Sequence, residues 1–477
     1  MSAIDEGIVK KTGLYFIGNS ASKIIMAIII PFYAYFVSVE ELGVFDYSQT
    51  IMSTVSPIMF LALWEAILRF LVAEKDEEQR NHVIATSVRI ILFIIIMMSA
   101  TSIIIAFTSS QVAMYTFLMI IVYGAAQVWQ YYARALKFNQ VYVVSSIIGT
   151  ILNFTMLILM ICVLKMGGKG LFWSYIIGQL SIIVVIEFKI RVLKYLKIGT
   201  FQWHLLWQML RFSLPLVLNL ASVFLISGFG RMIITSQLGA YDNGLYSFAM
   251  KFGIIISTLG TVISMALIEE AIIKNEEKDI DQYFSNIIQF VFKLFLTMCI
   301  FAIPFISIFY HFISNTGYSE SYTLVPIFLV YALVMTMSTN VGAIFQARSK
   351  TNILFYTTVF GAVTTIILSY LTVNHYGILG VAFAQILGGL TMLLLRWLFA
   401  KRLIHFVVRW NKIVALSFIY GLVVFACING ANVMGIVTSV IAMLVVLYLN
   451  KDMIIDMKNI KKGNKALEQP VAKDLNS

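Results

Sequence analysis

Four cations stand inside long apolar runs: Lys23, Arg231, Lys251 and Lys293. At the centre of a membrane helix each such charge costs on the order of 3 kcal/mol to insert, so several together need a wet cleft or partners within a bundle. Arginine offers a planar fork that takes phosphate bidentately, and lysine a compact point charge. The chemistry these residues can do is therefore the binding of an anion, phosphate or pyrophosphate above all. Helical spacing gives the cations polar company. Asn19 with Lys23, Ser227 with Arg231 and Thr235, and Ser247 with Lys251 and Thr258 fall on narrow arcs at about 100° per residue. Arg231 and Lys293 also lie near enough to the ends of their runs to snorkel.

Two further groups carry possible roles. Asp46, with Thr50, Ser53 and Pro57 on its face, is a candidate for ion coupling, and Glu65 and Arg69, four residues apart, form a gate or a structural pair. Tyr123, Gln127 and Tyr131 on one helix offer surfaces suited to sugar rings, although aromatic groups in membrane helices also serve as packing. Nothing suggests a metal or cofactor. Cys162, Cys299 and Cys427 are scattered through apolar runs, His311 and His375 have no partner constellation, and no Walker A, HExxH or CxxC pattern occurs.

The elements that position these residues are membrane helices. The 477-residue chain is 60% hydrophobic and 12% charged, with a mean hydropathy of +0.91, whereas a soluble domain carries about 25% charged residues. Its apolar runs are continuous rather than alternating, which selects helices over barrel strands. Hydropathy predicts about fourteen spans, at 13–37, 44–68, 85–107, 112–133, 141–164, 168–189, 212–236, 243–268, 286–310, 322–346, 352–373, 377–399, 412–430 and 433–450. The stretch from Leu14 to Val37 reads as a first span rather than a cleavable signal.

Lysine and arginine gather at the N-terminus, at every second connection and in the tail, while 38–43, 108–111, 237–242, 311–321, 374–376 and 431–432 hold none. Lys165 and Lys169 alone break the pattern. The positive-inside rule then puts both termini in the cytoplasm. The formal charge of +11 is mostly this topological signal, and nucleic acid is not an expected partner.

The chain also repeats itself. Displacing it by 201 residues superposes Gly43-Val44-Phe45-Asp46-Tyr47 on Gly244-Leu245-Tyr246-Ser247-Phe248; the register then drifts slightly, Ala133-Arg134 matching Ala347-Arg348, and Gly170 and Gly178 matching Gly380 and Gly388 at the same spacing. Six spans per half is an even number, so the halves share one orientation, and parallel repeats hold substrate between them near the midplane. The expected units are 1–189 and 212–400 as six-helix lobes, 190–211 as an amphipathic cytoplasmic linker, 412–450 as two additional helices and 451–477 as a basic tail.

Phe212-Ser213-Leu214-Pro215-Leu216, Arg231-Met232-Ile233-Ile234 and Leu238 through Ser247 resemble the polysaccharide-transport branch of the MOP (MATE-like) exporter superfamily, in particular Wzx-type O-antigen or capsular repeat-unit flippases. The resemblance implies an all-α fold of two six-helix lobes plus two helices. It implies no enzyme activity, but translocation of an undecaprenyl-pyrophosphate-linked oligosaccharide from the cytoplasmic to the outer leaflet of a bacterial inner membrane. Lipids, a polysaccharide polymerase and chain-length machinery would be its partners. A MATE-type exporter of small molecules is the first alternative, but such carriers usually move cations, for which a cationic cleft is wrong. A membrane polymerase or ligase is the second, and the short, nearly uncharged outer connections speak against it.

Overall fold

The computed structural model describes residues 28–273, 280–348, 350–405, 407–428 and 433–450; these are helical, with no strand among them. In chain order the helices are α1 (28–36 described), α2 (Val39–Met59), α3 (Leu63–Ala73), α4 (Glu77–Thr108), α5 (Gln111–Ala135), α6 (Asn139–Ile158), α7 (Gly168–Ile190), the short α8 (Tyr195–Ile198), α9 (Trp203–Gln237), α10 (Ala240–Ile273), α11 (Ile280–Phe312), α12 (Val325–Ala347), α13 (Thr351–Lys401), α14 (Trp410–Ile428) and α15 (Val433–Leu449). Among the described residues eight helices are long and apolar enough to cross a membrane, or nine if the bent pair α2 and α3 is one span. α13 holds two expected spans, joined at Gly377. The protein is thus an all-α polytopic membrane protein of two six-helix lobes and two further helices. Lys23, the first span's candidate ligand, lies outside the described residues.

Backbone geometry repeats where the sequence does. Gly167, before α7, has φ 56° and ψ −142°, and Gly377, inside α13, has φ 56° and ψ −141°. That region is essentially restricted to glycine, so both halves make the same reversal with the same residue. Within each half the helices after and before this turn then pack backbone to backbone. A Cβ on Gly178 would lie 2.9 Å from the Gly149 carbonyl oxygen, and one on Gly388 would lie 2.7 Å from that of Gly361. Small residues allow such approach where lipid supplies no hydrophobic drive between helices.

Two expectations need correction. The second span, expected as one helix over 44–68, begins at Val39 and bends by 52° between α2 and α3. Ser38 starts it through a capping box: its hydroxyl accepts from the Glu41 amide, and the Glu41 carboxylate accepts from the Ser38 amide. Glu41 also accepts from the Gly168 amide at 2.6 Å, tying α2 to α7. The break follows Pro57, where Leu61 (φ 52°) and Ala62 (φ 46°) take left-handed backbone. Such backbone costs a residue with a Cβ about 1–2 kcal/mol, and burial holds it in place: Phe60 and Ala62 are fully enclosed, and the Phe60 ring fills the space a Cβ on Gly124 would need. Ala62→Gly is accordingly expected to be tolerated and to raise stability slightly, by at most about 1 kcal/mol, measurable as the melting temperature in detergent.

The second correction concerns the seventh span, expected over 212–236. A 3₁₀ turn at Val192–Lys194 and α8 lead into α9, which already starts at Trp203 and continues through Pro215 to Gln237. The amphipathic pattern falls on the first turns of α9, where Trp203 and Trp207 are exposed and Leu206 and Met209 buried. The preceding loop is pinned to α4. Arg89 donates to the Leu196 and Gly199 carbonyls at 2.8 and 3.1 Å, and the Thr200 amide donates to His82 Nδ1 at 3.0 Å.

Candidate functional site

The two halves meet most closely where α2 crosses α10, near the end of the bundle that is poor in lysine. A Cβ on Gly43 would sit 1.8 Å from the carbonyl oxygen of Ala240, and one on Gly244 would sit 1.9 Å from that of Val39. These are equivalent residues of the repeat exchanging equivalent contacts, as at a two-fold interface. The Asn243 side chain donates to the Gly43 carbonyl at 2.8 Å, and the Tyr318 hydroxyl lies 3.1 and 3.0 Å from the Val37 and Ser38 carbonyls. Backbone against backbone, the lysine-poor end is closed.

One turn deeper comes the chemistry. Asp46 and Arg231 each lie about 10 Å along their helices from this end, and Lys251 about 16 Å, at 1.5 Å per residue. The register that puts Asp46 over Ser247 also puts them in contact, the Ser247 hydroxyl donating to Asp46 Oδ2 at 2.6 Å. The same oxygen lies 2.9 Å from Arg231 Nε, with the two side chains only 7% and 15% exposed. Arg231 therefore does not snorkel. It turns inward to a carboxylate of the other half, because a buried guanidinium without an anion costs far more than a strained reach.

The rest of the guanidinium is poorly served. Nη1 lies 3.4 Å from Thr50 Oγ1 and Nη2 3.2 Å from the Met250 sulfur, and Nε, though close to Asp46, makes no hydrogen bond of good geometry. Lys251 points its ammonium at the Tyr33 ring, 5.2 Å from the centroid, and shares its electrostatic surroundings with Asp46 and Arg231. Two basic side chains and one carboxylate give the cluster a formal excess of one positive charge. Beside it opens a cavity of about 280 Å³ lined by Arg231, Ser227, Ser257, Met250, Phe328 and Tyr331, among others. Behind it the Tyr246 hydroxyl donates to Gln385, whose Nε2 lies 3.5 Å from the carbonyl of Ser227 in the cavity wall.

The structure thus brings together Arg231, Lys251 and Asp46, and leaves the other candidates elsewhere. Lys293 is not among the residues lining the cavity; its helix α11 packs against the C-terminal pair, Thr297 accepting from Asn450 at 2.9 Å. Glu65 accepts from the Tyr131 hydroxyl at 2.7 Å, and Arg134 lies over the Tyr131 ring. Arg69 does not pair with Glu65 but stacks on Phe212, 4.3 Å from the centroid, bridging the halves toward the basic end. Tyr123 lies near Gln127, one turn on, and near Tyr175, within the first half and away from the cavity wall.

Sequence reasoning passed over Arg396. Buried in the second half, it donates to Thr357 Oγ1, the Ser338 carbonyl and Thr358 Oγ1, clamping α12 and both limbs of α13. It lies inside the expected span 377–399, five residues before Lys401, and depth in the packed lobe is what distinguishes it.

Known proteins agree with this architecture. The structure is similar to the lipid II flippase MurJ in an inward closed conformation, with a TM-score of 0.69 at 11% identity, covering 94% of this chain and all of that one. It is similar to an inward-facing multidrug resistance MATE family transporter of the MOP superfamily, with a TM-score of 0.61 at 15% identity over 85% of this chain and 95% of that one. An uncharacterised membrane protein of Methanocaldococcus jannaschii is 27% identical over 190 residues, 39% of this chain and 44% of that protein, so the match spans less than half of the relative. Residues 8–269, which include Asp46, Arg231 and Lys251, match the polysaccharide biosynthesis protein family. Over more than half its length, and with the fold of the MOP-type exporters, the chain belongs to that polysaccharide biosynthesis family.

Proposed function

We propose that this protein is a flippase for a lipid-linked oligosaccharide, a Wzx-type carrier of O-antigen, capsule or exopolysaccharide units, working by alternating access of the units 1–189 and 212–400. The observation that carries the reading is Arg231, held between the halves beside a cavity and within the segment matched to the polysaccharide family. A cluster with net positive charge attracts the diphosphate that joins glycan to polyprenol and repels cationic drugs. The cavity suits a headgroup rather than a whole oligosaccharide, being at the small end of ligand pockets. Sugars would occupy the wider space between the halves and the lipid tail would remain in the bilayer. With the basic end taken as cytoplasmic, the close crossing at Gly43 and Gly244 seals the outer side of the cleft in this state. Lys23 joins Arg231 and Lys251 as a proposed ligand of the diphosphate.

The test is cellular. Removing the gene is expected to abolish surface polysaccharide and to accumulate its lipid-linked precursor, and the wild-type chain to restore it. Lys251→Ala at equal protein level is expected to restore it about tenfold less well, the loss of one charge contact. Normal surface glycan in the deletion strain, with new sensitivity to ethidium, would instead support a MATE-type exporter.

A further inference from the structure

We infer that Asp46 is an internal stand-in for the substrate's anion: it occupies Arg231 in the unloaded protein, and a diphosphate that takes Arg231 from it unlocks the lysine-poor end. The inference rests on the anionic-substrate reading above and adds the residue that couples binding to opening.

The geometry carries it in three steps. First, the Asp46 to Arg231 pair is a tie between halves, since Asp46 is on α2 and Arg231 on α9, and it lies directly beneath the crossing of Gly43 and Gly244 that closes this end. Second, the tie is a weak use of an arginine. Asp46 meets it at one nitrogen, the other donors face a hydroxyl at 3.4 Å and a thioether, and the carboxylate shares its oxygen with Ser247. A guanidinium carries five N–H donors in a fixed fork, and a diphosphate offers several charged acceptors to them at once. Third, the competing ligand has an approach. The nitrogen bonded to Met250 is on the side of the cavity, which Met250 itself helps to line, whereas Asp46 is not among its lining residues.

Once Arg231 is taken, Asp46 keeps the Ser247 hydroxyl and the more distant Lys251 but loses its ion-pair partner, and a carboxylate so buried draws in water. Hydration at this depth separates α2 from α10. The carboxylate also sets a threshold: a ligand that binds Arg231 no better than Asp46 does leaves the end closed, so neutral and cationic solutes fail to trigger it.

The experiment uses the full chain in nanodiscs, with Cys162, Cys299 and Cys427 replaced by alanine and Val39→Cys as reporter, because Val39 is 5% exposed within the closed crossing. Its labelling by a membrane-impermeant maleimide is timed. Asp46→Asn keeps the size and the Ser247 acceptor but removes the charge, and is expected to speed labelling about tenfold or more without any ligand. Inorganic pyrophosphate at millimolar concentration is expected to speed labelling of the Asp46 protein and to leave Asp46→Asn unchanged. The exchange Asp46→Arg with Arg231→Asp is expected to restore slow labelling while abolishing the response to pyrophosphate.

Slow labelling of Asp46→Asn, or an unaltered pyrophosphate response in the exchanged protein, would overturn the inference. If ethidium rather than pyrophosphate opened the wild-type protein while Asp46→Asn stayed open, the substrate reading would fail and the tie between halves would stand. Variants are compared only where their elution and melting show a folded chain, and Asp46→Glu, which keeps the charge, is expected to label slowly.

Discussion

Gly244→Ala is expected to be among the most damaging single-methyl substitutions in this protein. The new Cβ would lie 1.9 Å from the Val39 carbonyl oxygen, against the 3.4–4 Å of ordinary contact, and the obstacle is backbone, which no rotamer change can move aside. Alanine is intrinsically better than glycine within a helix by about 1 kcal/mol. Overpacking costs about 1–3 kcal/mol when side chains can yield, and more when they cannot. The steric term therefore wins. The protein is expected to melt lower in detergent by several degrees and to expose Val39 at the lysine-poor end, because α2 and α10 relieve the clash by parting.

Gly43→Ala should behave alike through the Ala240 carbonyl, and the double variant should lose less than the sum, since both methyls spread one crossing. Gly421→Ala, on α14, supplies the control. A Cβ there meets nothing within 4 Å, and its melting should hold or rise slightly. Equal melting of Gly244→Ala and wild type would mean that the halves do not meet as described.

Arg231→Ala is expected to abolish transport and, separately, to destabilise the fold. The stability loss arises at Asp46, whose side chain is 7% exposed and would lose its countercharge; breaking a buried pair from one side costs about 3–5 kcal/mol. The two effects are separable. Adding Asp46→Asn to an Arg231→Gln chain removes the orphaned charge and is expected to recover most of the melting temperature, yet not the surface polysaccharide, because the guanidinium proposed to hold the diphosphate is gone. Arg231→Lys should keep the charge but lose the fork, with transport reduced rather than absent. Transport at wild-type level by the Asp46→Asn, Arg231→Gln chain would remove Arg231 from the substrate site.

Much of this architecture is legible in the chain because membrane constraints act locally. Span length, loop charge and the glycines at 170, 178, 380 and 388 each report on their own segment. The break at 60–62 is not of that kind. Leu61 and Ala62 carry no sign of left-handed backbone, which is imposed by Phe60 seating under Gly124 from another helix. The pairing of Asp46 with Arg231 lies between these cases. Nothing near Asp46 announces a distant arginine, but the repeat register already aligns Asp46 with Ser247, and residues close to a two-fold axis face their own equivalents. Reading the repeat as an axis, rather than as duplicated text, would have placed a carboxylate at the cationic cleft. Lys293 is a different case: hydropathy gives its depth along α11 and not which neighbours its side chain meets.

The broken span has a consequence for how the molecule can deform. α2 and α3 are separated by residues outside the helical hydrogen-bond ladder, while α10, the counterpart of α2, runs unbroken from Ala240 to Ile273. Helical rods are stiff and interrupted ones are not. One half therefore answers a force at the crossing as a lever, carrying displacement along its whole length, and the other as a jointed arm, whose Asp46 limb can swing while the Glu65 limb stays bound to Tyr131. A frame built by repetition is in this way mechanically lopsided, with its compliance concentrated at three residues of the first half.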